Sequence, residues 1–213
     1  MNKNITVLVD NESWILPYAE NLVNELVCIG FNAKLVRDHK SVEAGWVNFM
    51  LGCIKIMPSE ILKKNKHNLV VHESNLPKGK GFAPMTWQIL EGNNKIPICL
   101  IEASKDVDSG EVWLRDTIEL DGTELNNEWR KIQGLKTISM CLDFVKNYKK
   151  LSPIAQNGES SFYKKRTEEN SELDIDIPIK SQLNLLRVVD NENYPAFFYV
   201  NGVKYILKVE KQK

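Results

Sequence analysis

The chain has 213 residues, enough for one sizeable core and a small appendage. Its 28 Lys+Arg balance 28 Asp+Glu, and that neutral sum argues against a surface that tracks nucleic-acid phosphates. Hydrophobic residues at 43% and charged residues at 26% are those of an ordinary globular protein, and no apolar run approaches the ~20 residues of a membrane span. With no leader expected ahead of Ile5, and four scattered cysteines (28, 53, 99 and 141) that lack metal spacing, a reducing cytoplasm is the expected setting. Each cysteine lies in an apolar stretch and reads as a small buried hydrophobe. Neither a metal, nor a nucleic acid, nor a membrane is expected as a partner.

In chain order, Asn4–Asp10 (NITVLVD) is β-branched and reads as the first strand of a parallel sheet. Ser13 can cap a following helix with Pro17 in its first turns. Leu16, Ala19, Leu22, Val23, Leu26 and Val27 form its stripe, and Gly30 ends it. Phe31–Val36 and Trp46–Leu51 read as strands two and three. Pro58 opens a short helix through Ile61 and Leu62, and a strand over Leu69, Val70 and Val71 leads into His72. This order predicts an α/β, Rossmann-like, mostly parallel sheet flanked by helices, with right-handed crossovers. The first strand is followed by Asp10-Asn11-Glu12-Ser13-Trp14, not by a G-x-G-x-x-G, so a nicotinamide dinucleotide is not expected.

After His72 comes a polar loop, Glu73-Ser74-Asn75-Leu76-Pro77-Lys78-Gly79-Lys80-Gly81, and then a helix from about Pro84. A histidine at the carboxyl end of a buried strand, facing a glycine-bearing loop, is where ligands bind in an open α/β sheet. Ile96–Ala103 and Glu111–Leu120 read as strands around the loop 104–110. Asp121-Gly122 is a turn, Thr123 a helix cap, and a long helix runs to about Tyr148. Composition then shifts: residues 153–181 are polar and irregular. Leu183–Val189 and Ala196–Val209 read as strands, with Asn201-Gly202 as a hairpin turn. The expected division is a Rossmann-like catalytic domain over 1–152 and a short C-terminal β-rich extension over 153–213.

The run H-E-S-N-L-P-K-G-K-G-F-A-P from His72 resembles the H-P-S-L-L-P-x-x-R-G-x-x-P signature of folate-dependent formyltransferases. That family's second signature, D-x-G, stands here as Asp108-Ser109-Gly110, with Asp108 36 residues after His72, as in the family. The C-terminal tail, with Q-N-G-E-S-S-F-Y-K-K-R, L-R-V-V-D and Y-V-N-G-V-K-Y, is similar to that of sugar N-formyltransferases. Only 61 residues follow Ser152, whereas an RNA-binding barrel needs roughly a hundred.

The resemblance implies transfer of a formyl group from N10-formyltetrahydrofolate to the amine of a nucleotide-linked amino-deoxysugar, for surface glycan synthesis, by a homodimer. Other acceptors such as glycinamide ribonucleotide, or a non-catalytic folate- or nucleotide-binding role, stand beside it. It assigns catalysis to His72 and Asp108, and cofactor contacts to Ile56, Met57, Ser59, Lys105 and Val107. Such chemistry needs a base for the amine and a donor for the charge on the formyl oxygen. An imidazole with an unperturbed pKa near 6.5 can serve either role.

The family carries Asn two residues before the histidine; here that residue is Val70, on the same strand face as His72. Losing one such donor costs about 100- to 1,000-fold in rate, so a replacement is expected: Asn75, a backbone amide, or His72 itself. Asn68 shares the face but lies four residues away at ~3.3 Å each. Substrate contacts are expected from Asn11, Ser13 and Trp14, or Trp14 simply packs on the first helix. Lys78 and Lys80 suit a phosphate, or a solvated loop. Arg166 and Arg187, with Tyr194, Phe197 and Phe198, can clamp a nucleotide, one phenylalanine being core by strand alternation. His39 and His67 sit among polar residues and read as solvated.

Overall fold

A computed structural model describes residues 3–212. The apolar β-branched runs form the strands β1 (Asn4–Leu8), β2 (Asn32–Val36), β3 (Gly45–Met50) and β4 (Asn65–His72). With β6 (Lys95–Glu102) and β7 (Val112–Glu119) they make one six-stranded sheet, order β2-β1-β3-β4-β6-β7. The first four are mutually parallel, while β6 and β7 are antiparallel additions at one edge. The expected Rossmann-like, mostly parallel sheet is therefore present.

Helices α1 (Leu16–Cys28) and α4 (Asn126–Asn147) close one face. Ala19, Leu22 and Leu26 of α1 and Trp129, Ile138, Cys141 and Phe144 of α4 join Val7, Phe49 and Leu69 of the sheet in the main core. That apolar surface, withdrawn from water, is the dominant favourable term of the fold. Short helices α2 (Ser59–Leu62) and α3 (Pro84–Leu90) follow β3 and a two-residue strand, β5 (Lys80–Gly81).

The C-terminal segment departs from its expected form in two ways. Leu183–Val188 is a helix, α5, not a strand. Leu186, Arg187 and Val188 are all buried along it, and a continuous buried run cannot by itself separate helix from strand. Within the polar stretch, β8 (Phe162–Tyr163) pairs in parallel with β5, Lys80 opposite Phe162 and Gly81 opposite Tyr163. Strands β9 (Ala196–Val200) and β10 (Val203–Leu207) form the expected hairpin, with Asn201 and Gly202 both at positive φ in its turn.

Local details also differ. The N-cap of α1 is Ile15, without a side-chain cap, and Ser13 Oγ lies 3.5 Å from the Ile15 amide. At α4 the cap is Leu125, whose amide donates to the Glu128 carboxylate at 2.7 Å, so Thr123 is not the cap. Cys99 and Cys141 are buried and Cys53 partly so, but Cys28, on the outer face of α1, is exposed. His67 is 8% exposed rather than solvated: its Nδ1 meets Glu102 Oε2 at 3.1 Å and its Nε2 meets the Tyr148 hydroxyl at 3.0 Å. No helix among the described residues is long and apolar enough to cross a membrane.

Candidate active site

Because β1, β3 and β4 run parallel, their carboxyl ends open on one side of the sheet, and a cavity of about 760 Å3 lies there. His72 ends β4 and is 5% exposed. Its Nε2 lies 2.8 Å from the Gly79 carbonyl oxygen, which can only accept, so Nε2 carries the hydrogen. In the neutral ring the lone pair is therefore on Nδ1, which lies 3.6 Å from Asp108 Oδ2.

Asp108 is held by the loop around it. The Gly81 amide donates to its Oδ2 at 2.8 Å, and Gln156 Nε2 donates to the carbonyls of Asp108 and Gly110, both at 2.8 Å. Its φ is +51°, a left-handed conformation that Asp tolerates better than most residues. Gly81, at φ +96°, has Tyr163 O only 2.5 Å from where a Cβ would stand, so β8 packs directly on the glycine. The loop 72–81 is fixed from the sheet as well: Arg115 of β7 donates to Asn75 Oδ1 at 2.9 Å and to Leu76 O at 3.0 Å.

The cavity walls combine apolar and charged groups. Met50, Leu51, Ile54, Ile56, Val70 and Val107 form an apolar side, with Ile54, Ile56 and Val107 at least half exposed. Asp10 shapes this side by accepting from the amides of Ile54 and Lys55 at 3.0 and 3.1 Å. The other side is polar. Asn126, Arg130, Gln133 and Thr137 line it from one face of α4, at the spacing of helical turns. Arg130 pairs with Asp190 at 3.0 Å and lies over the Trp14 ring.

Of the residues expected at the site, His72, Asp108, Ile56, Val107, Trp14, Arg166 and Tyr194 line this cavity. Met57, Ser59, Lys105, Asn11, Ser13, Lys78, Lys80, Asn75 and Arg187 do not. Asn75 is exposed, its Oδ1 accepts from Arg115, and it lies outside the cavity lining. Lys80 is buried and bonds Ser109 Oγ at 2.7 Å, tying the two signature loops together. Arg187 is 1% exposed and pairs with Glu124 at 3.4 Å beneath α4, a structural position. Asn11 donates to the Gly52 carbonyl at 2.8 Å and so braces the cavity's edge.

Glu73, Gln133 and Arg130 were not singled out from the sequence. Glu73 sits inside the signature where the resembled family carries proline, and the polar stripe on α4 interrupts an otherwise apolar helix pattern. Both were visible signals.

Residues 31–131 match the model of the formyl transferase family. The methionyl-tRNA formyltransferase of Ehrlichia ruminantium (strain Gardel) is 27% identical over 153 residues, which are 69% of this chain and 48% of that protein. The chain thus spans about half the length of the curated relatives it matches. Among solved structures, a methionyl-tRNA formyltransferase from Clostridium thermocellum superposes with a TM-score of 0.81 at 20% identity, covering 99% of this chain and 93% of that one. A 4-N formyltransferase from Francisella tularensis gives 0.75 at 16% identity, covering 99% and 98%. HypX from Aquifex aeolicus, in complex with tetrahydrofolic acid, gives 0.79 at 19% identity, covering 96% and 37%. These structures share the fold, and residues 31–131, which hold both signatures, match the family that those signatures resemble.

Proposed function

We propose that this protein is an N-formyltransferase that moves the formyl group of N10-formyltetrahydrofolate to the amine of a nucleotide-linked amino-deoxysugar. The observation that carries the reaction is the buried His72–Asp108 pair opening on a cavity with one apolar and one polar side. When bound, the folate supplies an activated formyl group. Ile54, Ile56, Met50 and Val107, which line the apolar side, would hold its ring.

His72 is poised to act through Nδ1, because its Nε2 hydrogen is engaged by the Gly79 carbonyl. Nδ1 accepts the proton that the acceptor amine gives up, and the imidazolium so formed is stabilised by the Asp108 carboxylate 3.6 Å away. The same atom then returns the proton to the departing nitrogen. Asp108 itself stays oriented by the Gly81 amide. On the acceptor side, Arg166, Arg130, Lys165 and Lys55 offer positive charge to a pyrophosphate, and Trp14 and Tyr194 offer aromatic surface to a base.

The sugar reading is supported by the chain's zero net charge, which suits a small acceptor better than tRNA. A second reading, formylation of methionyl-tRNA, is favoured by the curated sequence relatives. Mass spectrometry of products separates them: the protein with N10-formyltetrahydrofolate is offered UDP- and dTDP-linked 3-amino and 4-amino deoxysugars or Met-tRNA. The expected result is one formyl group on one nucleotide sugar, lost about 100- to 10,000-fold in His72→Ala. Formylation of Met-tRNA alone would replace the sugar reading.

A further inference from the structure

The cavity holds a carboxyl that the His72–Asp108 pair does not use. Glu73 follows His72 directly and lines the same cavity. Its backbone carbonyl accepts from Gln88 Nε2 of α3 at 2.6 Å, and its Oε1 accepts from Gln133 Nε2 of α4 at 2.7 Å. Two helices therefore fix its position. Among the described residues no other side chain donates to this carboxyl, and its own backbone amide is the further donor beside it.

Burial is the largest influence on this carboxyl and pushes it above the ordinary carboxylate range; His72 and the Gln133 bond oppose the shift, and Asp108 adds to it. Around the cavity stand Lys55 from the loop after β3, Arg130 of α4 paired with Asp190, and Lys165 and Arg166 from the C-terminal segment. The net direction is upward despite these cations. A neutral carboxyl carries one hydrogen, and donation from Gln133 to Oε1 leaves that hydrogen on Oε2.

Other donors beside His72 are scarce. Val70, which shares its strand face, has none; the Nε2 hydrogen is held by Gly79; and Asn75 lies outside the cavity. We propose that Glu73 is a further catalytic residue, its carboxylic O–H donating from Oε2 to the formyl oxygen as negative charge builds there. This inference rests on the formyl-transfer reading above. A carboxylic acid kept neutral by burial so that it can donate is a known device for stabilising such charge.

The test compares Glu73→Gln and Glu73→Leu, each alone and with Val70→Asn, in the full chain. The glutamine amide can also donate, so E73Q keeps kcat within about tenfold, whereas E73L loses about 100- to 1,000-fold with little change in KM. An amide at position 70 returns at least about tenfold of that loss. A fall in wild-type kcat as pH rises and Glu73 ionises is absent from E73Q.

A second readout needs no substrate. The folded protein retains a proton on Glu73 that the unfolded chain releases near pH 4.3. The stability tied to that proton is complete below the unfolded pKa and is lost as pH rises through the folded one. The melting temperature of E73Q minus that of wild type therefore climbs between about pH 4 and the folded value, then levels. E73Q losing as much rate as E73L, or all variants turning over equally, overturns the proposal, as does a flat melting difference. If wild type formylates no acceptor, the function above fails by itself, and the melting difference still decides: a climb supports the neutral acid and a flat line rejects it.

Discussion

Asp108 stands at φ +51° because three hydrogen bonds to its loop outweigh the backbone preference: Gly81 N to its carboxylate, and Gln156 to the carbonyls on either side of Ser109. Asparagine tolerates the same conformation and still accepts from the Gly81 amide, but carries no charge. Asp108→Asn is accordingly expected to fold with a near-wild-type melting curve while kcat for formyl transfer falls about 100-fold or more. A wild-type rate in that variant would reduce Asp108 to a loop brace. His67 is the contrasting case: equally polar in its sequence neighbourhood, it is buried among Trp113, Phe144 and Tyr148, with both ring nitrogens partnered. The sequence reads His72 as the end of an apolar strand and His67 as solvated, and only the contacts show that His67 is a buried strut.

At the scale of elements, the site depends on loops that cannot accept added atoms. A Cβ on Gly110 would stand 1.7 Å from Glu102 O, a backbone atom with no freedom to withdraw. Gly110→Ala should displace the loop 103–111, lower the melting temperature and weaken folate binding together, measurable by thermal melts and ligand fluorescence; a clean melt with unchanged binding would show that the loop has room. The polar stripe on α4 lies where the helix leaves the apolar sheet and faces the cavity, so its spacing reads as helix in the sequence while its purpose does not. α5 reads as a strand because Leu183–Val188 is too short to show a helical period and is flanked by polar turns, a pattern shared by a short strand. β8 was missed because two residues, Phe162 and Tyr163, have no periodicity to show.

Across the whole molecule, residues 153–212 pack against the half that carries the six-stranded sheet rather than hanging from it. Trp87 of α3 donates to Lys164 O at 2.8 Å and stacks on Tyr163, and Trp129 of α4 donates to Arg187 O at 3.0 Å. Arg187 is the buried charge at this junction, facing Glu124, whose oxygens also receive the amides of Asp121 and Gly122. Arg187→Ala is expected to lower stability by about 3–5 kcal/mol in denaturant titrations, since the partner carboxylate stays buried. Its substrate KM should hold at conditions where the variant is folded, because Arg187 does not line the cavity. A stable variant with a raised KM would return Arg187 to the nucleotide clamp.

By itself the sequence determined the α/β class, five of the six sheet strands nearly to their ends, and the two signatures that put His72 and Asp108 forward. These depend on local pattern: β-branched runs, helical periodicity, and glycines where backbones meet. Tertiary structure alone decided that Lys80, Asn75 and Arg187 turn away from the cavity while Glu73 and Gln133 turn into it. The physical reason is that a side chain's charge state and partners are set by groups brought from distant parts of the chain, as Gln133 is brought to Glu73 across 60 residues.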